Sequence, residues 1–131
     1  MRMLARVVAV VAALFYLTFG LWSLLFPASF AGTVATYPPY NEHYLHDLGA
    51  FQIGLGVAAL AALRWSDALG AALSGVGAAS VLHVVSHVFD GDLGGRASDP
   101  YTLSLLAAFV VLGLAATGRR NRQDAGHGRS E

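Results

Sequence analysis

The chain contains no cysteine and no lysine. Without thiols it cannot form disulfides, iron–sulfur clusters or cysteine-ligated zinc sites, so any metal would have to be held by histidine and carboxylate. Charge is scarce as well: 12% of residues are charged, against about 25% in ordinary soluble domains, while 56% are hydrophobic. Too few polar side chains remain to coat a water-exposed surface, and the composition points to a membrane protein. No glycine-rich nucleotide loop, nucleophile elbow or H-E-x-x-H site occurs in the sequence.

Four apolar stretches are present instead. A basic start, with Arg2 and Arg6, leads into an uncharged run over 7–26. Those ~20 residues make a helix of ~30 Å, the thickness of a bilayer's hydrocarbon core. A cleaved signal peptide is the competing reading, with Ser29-Phe-Ala31 as a loose small-x-small site. Its apolar region should be only about 7 to 15 residues long, which favours a retained span. Pro27 ends this helix, and Pro27-Ala-Ser-Phe-Ala could open the next loop with one interfacial turn. Tyr37-Pro-Pro-Tyr40 cannot be helical, because neither proline donates an N–H and each forces its predecessor into extended geometry. With Tyr44 these aromatics fit the headgroup level.

Asn41 is placed to cap the second span. Arg64-Trp-Ser-Asp67 makes a tight turn into the third, and Asp99-Pro100 reads as the cap and first residue of the fourth. The expected architecture is all-α: a bundle of four transmembrane helices over about 5–26, 42–63, 67–89 and 100–118. These form one domain, 1–118, followed by a polar tail, 119–131, that lacks an apolar period and is expected to be disordered.

Seven arginines, at 2, 6, 64, 119, 120, 122 and 129, fall on one side of this arrangement, and only Arg96 falls on the other. The positive-inside rule then predicts a multi-pass protein of the cell membrane with both termini cytoplasmic. Glu42, Asp47, Asp90, Asp92 and Asp99 lie on the outer side. The arginines of the tail are too few and too scattered for a nucleic-acid footprint, and anionic lipid headgroups are their natural neighbours. The bilayer is thus the first partner, and nucleic acid is not expected.

The chain's chemistry concentrates at the outer end of the third span, at His83-Val-Val-Ser-His87, where two imidazoles four residues apart share one helix face. Measured from the turn at 64–67 at ~1.5 Å per residue, His87 lies ~30 Å out, His83 ~24 Å, His46 and Asp47 ~26 to 27 Å, and His43 ~32 Å. Three histidines and Asp47 therefore share a layer, with His83 a turn deeper. Two small-residue ridges carry this set: His46, Ala50, Gly54, Ala58 and Ala62 on the second span, and Gly75, Ala79, His83 and His87 on the third. Such ridges let membrane helices approach closely, so the expectation is that they meet and join His43, His46, Asp47, His83 and His87 in one cluster. A second small or polar face, Gly49, Gln52 and Gly56, would place the second span centrally, with Tyr16, Gly20 and Ser23 of the first span as a counterpart.

The segment Asn41-Glu-His43-Tyr-Leu-His46-Asp47-Leu-Gly49, followed by the His83-x-x-x-His87 helix, resembles an uncharacterised group of small four-helix membrane proteins of actinobacterial type, DoxX-like in outline. The likeness extends over nearly the whole chain up to Gly118. It implies the four-helix fold and would carry over Asn41, His43, Asp47, Gly49, His83 and His87. His46 departs from the pattern, which more usually has a basic residue there. The group carries no assigned activity, although some DoxX-like proteins are described as parts of membrane redox complexes.

Three functional classes stay open. Three imidazoles and a carboxylate suit zinc or copper, with a haem held between histidines as a lesser variant. Asp47 with a histidine could act as acid and base on a lipid or quinone. The third class is an accessory subunit of a membrane complex, or a homo-oligomer, with no chemistry of its own. A transport role would require oligomerisation, since no internal repeat is present.

Overall fold

A computed structural model describes residues 2–65 and 67–127 of the chain. Among the described residues the protein is all-helical: α1 (Arg2–Leu25), α2 (Pro27–Thr33), α3 (Glu42–Ala61), α4 (Ala68–Phe89) and α5 (Asp99–His127). Three segments are long and apolar enough to cross a membrane: Met3–Leu25, Ala68–Phe89 and Asp99–Gly118. Helix α3 matches them in length but not in apolarity, because its first two turns carry Glu42, His43, His46 and Asp47.

The boundaries follow local chemistry. Pro27 cannot donate to α1 and becomes the first residue of α2, leaving Phe26 as a one-residue break. The expected interfacial turn is thus a seven-residue helix. It is tied down by Phe30, which is buried edge-on against Trp22 and Phe19 with ring centroids 5.7 and 6.4 Å apart. Asn41 is extended and accepts a hydrogen bond from the Tyr44 backbone N–H at 3.3 Å, the cap expected of it. Helix α5 runs on from Gly118 to His127, through residues expected to form a disordered tail. No proline interrupts that stretch, and extending an existing helix carries no nucleation cost. Residues 128–131 lie outside the described residues.

Contacts along the helices fix an antiparallel up-down order. Ser23 of α1 donates to the Leu45 carbonyl of α3 at 2.6 Å, and further along, Gly56 of α3 lies against Leu17 and Ala13 of α1. Gly70 faces Thr117 and Gly77 faces Val110, which makes α4 and α5 antiparallel as well. Helix α1 packs chiefly on α3, and α4 on α5; contact between α3 and α4 is slight.

The seam between α1 and α3 differs from the expected ridges. A Cβ on Gly49 would stand 2.8 Å from the Gly20 carbonyl oxygen, and one on Gly20 would stand 2.9 Å from that of Gly49, so each glycine seats the other's backbone. Nothing lies within 4 Å of a Cβ built on Gly54 or on Gly75. The face that packs is therefore Gly49, Gln52, Gly56 and Ala59, and the Ala50–Gly54–Ala58 ridge looks outward. The cause is the partner: α1 offers its own glycine and serine at matching heights, whereas α4 makes its close contacts with α5.

Side chains are distributed as lipid would demand. The interior is built of small residues, with Ala5, Ala9, Ala12, Ala13 and Ala59 fully buried beside Val8, Leu73, Val76 and Val110. Large apolar groups stand outside, among them Leu14 and Leu21 on α1, Phe51 on α3, Leu82 and Val88 on α4, and Leu105 and Leu112 on α5. Where the solvent is as apolar as leucine, close packing of small residues and buried hydrogen bonds hold helices together. Tyr16 and Ser80 supply one such bond, 2.8 Å long, between α1 and α4.

Candidate functional site

The histidines fall into two separate sets. On α3, His43 pairs with Asp47 at 3.5 Å and His46 with Glu42 at 3.8 Å, each within one turn of the same helix. The His43 and Asp47 side chains are 79% and 55% exposed. On α4, His83 and His87 bond to each other, Nε2 to Nε2, at 3.1 Å. Among the described residues no three His, Asp or Glu side chains converge as metal ligands, so the expected zinc or copper set of His43, His46, Asp47, His83 and His87 is not assembled. Helix α3 packs on α1 through Gly49 and Gly56 and makes only slight contact with α4, so its histidines are not brought to His83 and His87.

His83 and His87 find other company. His87 Nδ1 lies 2.9 Å from the Tyr37 hydroxyl and 4.0 Å from Asp99 Oδ2. Tyr37 comes from the loop between α2 and α3, and Asp99 from the first turn of α5. Two glycines make that approach feasible. Gly94 and Gly95 have φ of 145° and 77°, and a Cβ on Gly95 would strike the Tyr37 ring. The Gly95 N–H donates to the Thr36 carbonyl at 3.1 Å, and the Arg96 guanidinium to the Thr33 carbonyl at 2.7 Å. Asp99 is held in place by the Arg96 backbone N–H, 2.8 Å from its Oδ2.

Only one hydrogen fits between the two facing Nε2 atoms, so the chain Tyr37–His87–His83 is directional. If Tyr37 donates to His87 Nδ1, then His87 Nε2–H donates to His83; if His87 Nδ1–H donates to Tyr37, His83 is the donor to His87. Burial first, and then the charges of Asp99 and Asp90, raises the Tyr37 pKa above its ordinary value. The phenol thus stays protonated at neutral pH and available as a donor.

This group borders a cavity of about 380 Å³ to which every helix contributes. Phe15 and Phe19 of α1 and Phe30 of α2 line it with aromatic rings; Leu48 and Gln52 come from α3, His83 and His87 from α4, and Asp99 and Thr102 from α5. The volume lies in the range of small-molecule sites, which are typically apolar pockets with a few convergent polar groups. Gln52 is 7% exposed and its Oε1 has no hydrogen-bond partner. An unmet buried acceptor of this kind costs about 1–3 kcal/mol.

Sequence reasoning placed His83 and His87 at a site but missed Tyr37, Gln52 and Asp99. Asp99 read as a helix cap and Tyr37 as a headgroup aromatic, and Gln52 was noted only as part of a polar face. The signal for Asp99 was there: it opens the helix after the short loop that follows α4, close to the end of α4 that carries His87. No family model, curated protein or solved structure matches this chain in comparisons of sequence and fold.

Proposed function

We propose that this chain is a four-span protein of the cell membrane, both termini cytoplasmic, that binds an apolar small molecule in a cavity at its outer end. Helix α3, with 20 residues, is ~30 Å long and sufficient for a fourth crossing, its exposed Glu42, His43, His46 and Asp47 all lying in the first two turns at one end. The arginine asymmetry supports the orientation, and the outward display of large apolar side chains supports the lipid environment. The likeness to DoxX-like bundles agrees with this outline.

The observation that carries the binding reading is the cavity itself, in which aromatic walls and two imidazoles converge on one space. The test is mass spectrometry of small molecules that remain with the protein after mild purification, compared between the wild type and a variant, Leu103→Trp, that fills the cavity from α5, where Leu103 lines it. An apolar compound present in the first and depleted in the second is the expected result. Identical small-molecule content in the two would remove the binding reading.

A second reading, an accessory subunit or homo-oligomer, rests on the exposed Gly54 and Gly75, whose faces are free to receive another helix. Cross-linking through cysteines introduced at Ala50 and Ala58 separates it from the first, because a monomer would leave them uncoupled.

A further inference from the structure

The charge of the cavity's lining narrows the chemical class of its occupant, an inference that rests on the binding reading above and adds one charge to the apolar molecule. Among the described residues that line the space, Asp99 alone carries a formal charge, and no arginine borders it. That carboxylate is only partly engaged. Its Oδ2 accepts from the Arg96 backbone N–H at 2.8 Å and lies 4.0 Å from His87 Nδ1, while no hydrogen bond or ion pair among the described residues engages Oδ1. The Arg96 guanidinium, which could have neutralised it, donates to the Thr33 carbonyl. At 19% exposure the Asp99 side chain has lost most of its water, and a buried charge calls for a partner. Burial first, and then Asp99 and Asp90, raise the Tyr37 pKa, so a second carboxylate adds to the negative field at this end. Four aromatic rings line the same space, those of Phe15, Phe19, Phe30 and Tyr37. Such rings attract a cation to their faces, most strongly where water is excluded. The other open polar atom, His83 Nδ1, favours neither sign, because it donates or accepts according to the tautomer.

We propose that the cavity takes an organic cation on an apolar body, a substituted ammonium whose charge is met by the Asp99 carboxylate and the surrounding aromatic rings. An anion would meet Asp99 with no counter-charge. A neutral molecule of the same shape would keep the apolar contacts and lose both attractions. The lining offers no cationic group to a phosphate, so a free amine fits it better than the zwitterionic head of a phospholipid.

Benzyltrimethylammonium and its neutral carbon isostere, 2,2-dimethylpropylbenzene, test this by equilibrium dialysis of the full chain in uncharged maltoside micelles, with protein-free micelles subtracting partition. Saturable binding of the cation on the order of tenfold tighter than of the isostere is expected, from the rings and the carboxylate together. Asp99→Asn, which keeps an oxygen for the Arg96 N–H, should bring the cation to the level of the isostere and leave the latter within about twofold of its wild-type value. Asp99→Ser, also suited to a helix start, replaces it if the asparagine form does not fold. Dissolved hexyltrimethylammonium should displace the bound cation and added phosphatidylcholine should not; displacement by the lipid would overturn the free-amine source alone. Equal or tighter binding of the isostere by the wild type, or a cation affinity that the Asp99 variants leave unchanged, would overturn the charge rule while the binding reading survives. No saturable binding of either probe, or binding that Leu103→Trp leaves intact, would overturn both.

Discussion

The Gly20–Gly49 contact between α1 and α3 supports a quantitative prediction. Alanine at 49 puts a methyl carbon 2.8 Å from the Gly20 carbonyl oxygen and 2.9 Å from the Leu24 backbone nitrogen. Neither neighbour is a side-chain tip that can swing aside, so the two helices must part by about half an ångström or more to reach ordinary contact. Overpacking of this kind costs about 1–3 kcal/mol. Alanine's better helix propensity returns up to about 1 kcal/mol. A net destabilisation of about 1–2 kcal/mol is expected. Alanine at 54 meets nothing within 4 Å and keeps only the propensity gain, so the two variants should differ by about 2 kcal/mol. Gly20→Ala with Gly49→Ala should cost less than the sum of the singles, because one separation relieves both clashes. The measurement is unfolding in mixed micelles as the denaturing detergent fraction is raised. Equal tolerance at 49 and 54 would refute the assigned seam and return α3 to the orientation expected from its other ridge.

Two further outcomes follow from the loops. The raised pKa of Tyr37 means that its protonated form stabilises the fold; the contribution is complete below the unfolded value near ~10 and is lost as pH climbs through the higher folded value. Tyr37→Phe should flatten the alkaline limb of stability above about pH 10, and an unchanged limb in thermal unfolding at several pH values would count against the burial of Tyr37 beside Asp99 and Asp90. A reporter fused after Gly118 should be active only as a cytoplasmic fusion, and one inserted in the 91–98 loop only as an external one; the opposite pattern would reverse the proposed orientation.

Much of the fold was legible because its punctuation is local. Pro27, Asn41 and Asp99 end or begin helices by their own backbone chemistry, and that chemistry operates whatever the neighbours do. The one-turn spacing of His83 and His87 was legible for the same reason, since residues four apart share a face of any one helix. Rotation about the helix axis was not. Helix α3 carries two faces of small residues, and a choice between Ala50–Gly54–Ala58 and Gly49–Gln52–Gly56 depends on what stands opposite. Gly20, set against Gly49, and Ser23, bonded to the Leu45 carbonyl 22 residues further on, decide it from another helix. Once α3 turns toward α1, the space beside His83 and His87 is filled from the 34–37 loop and α5, and the site changes membership.

The bonds from Gly95 to Thr36 and from Arg96 to Thr33 also bear on biogenesis. The stretch after α2 emerges from the ribosome early, and the residues that fasten it are made some sixty positions later. While α1, α3 and α4 are being made the Tyr37 segment has no anchor, and the cavity lacks both that wall and the first turn of α5. Its completion awaits the final hairpin. A chain arrested before α5 would therefore lack two walls of the cavity, and under the proposed binding role ligand retention would report on a completed bundle.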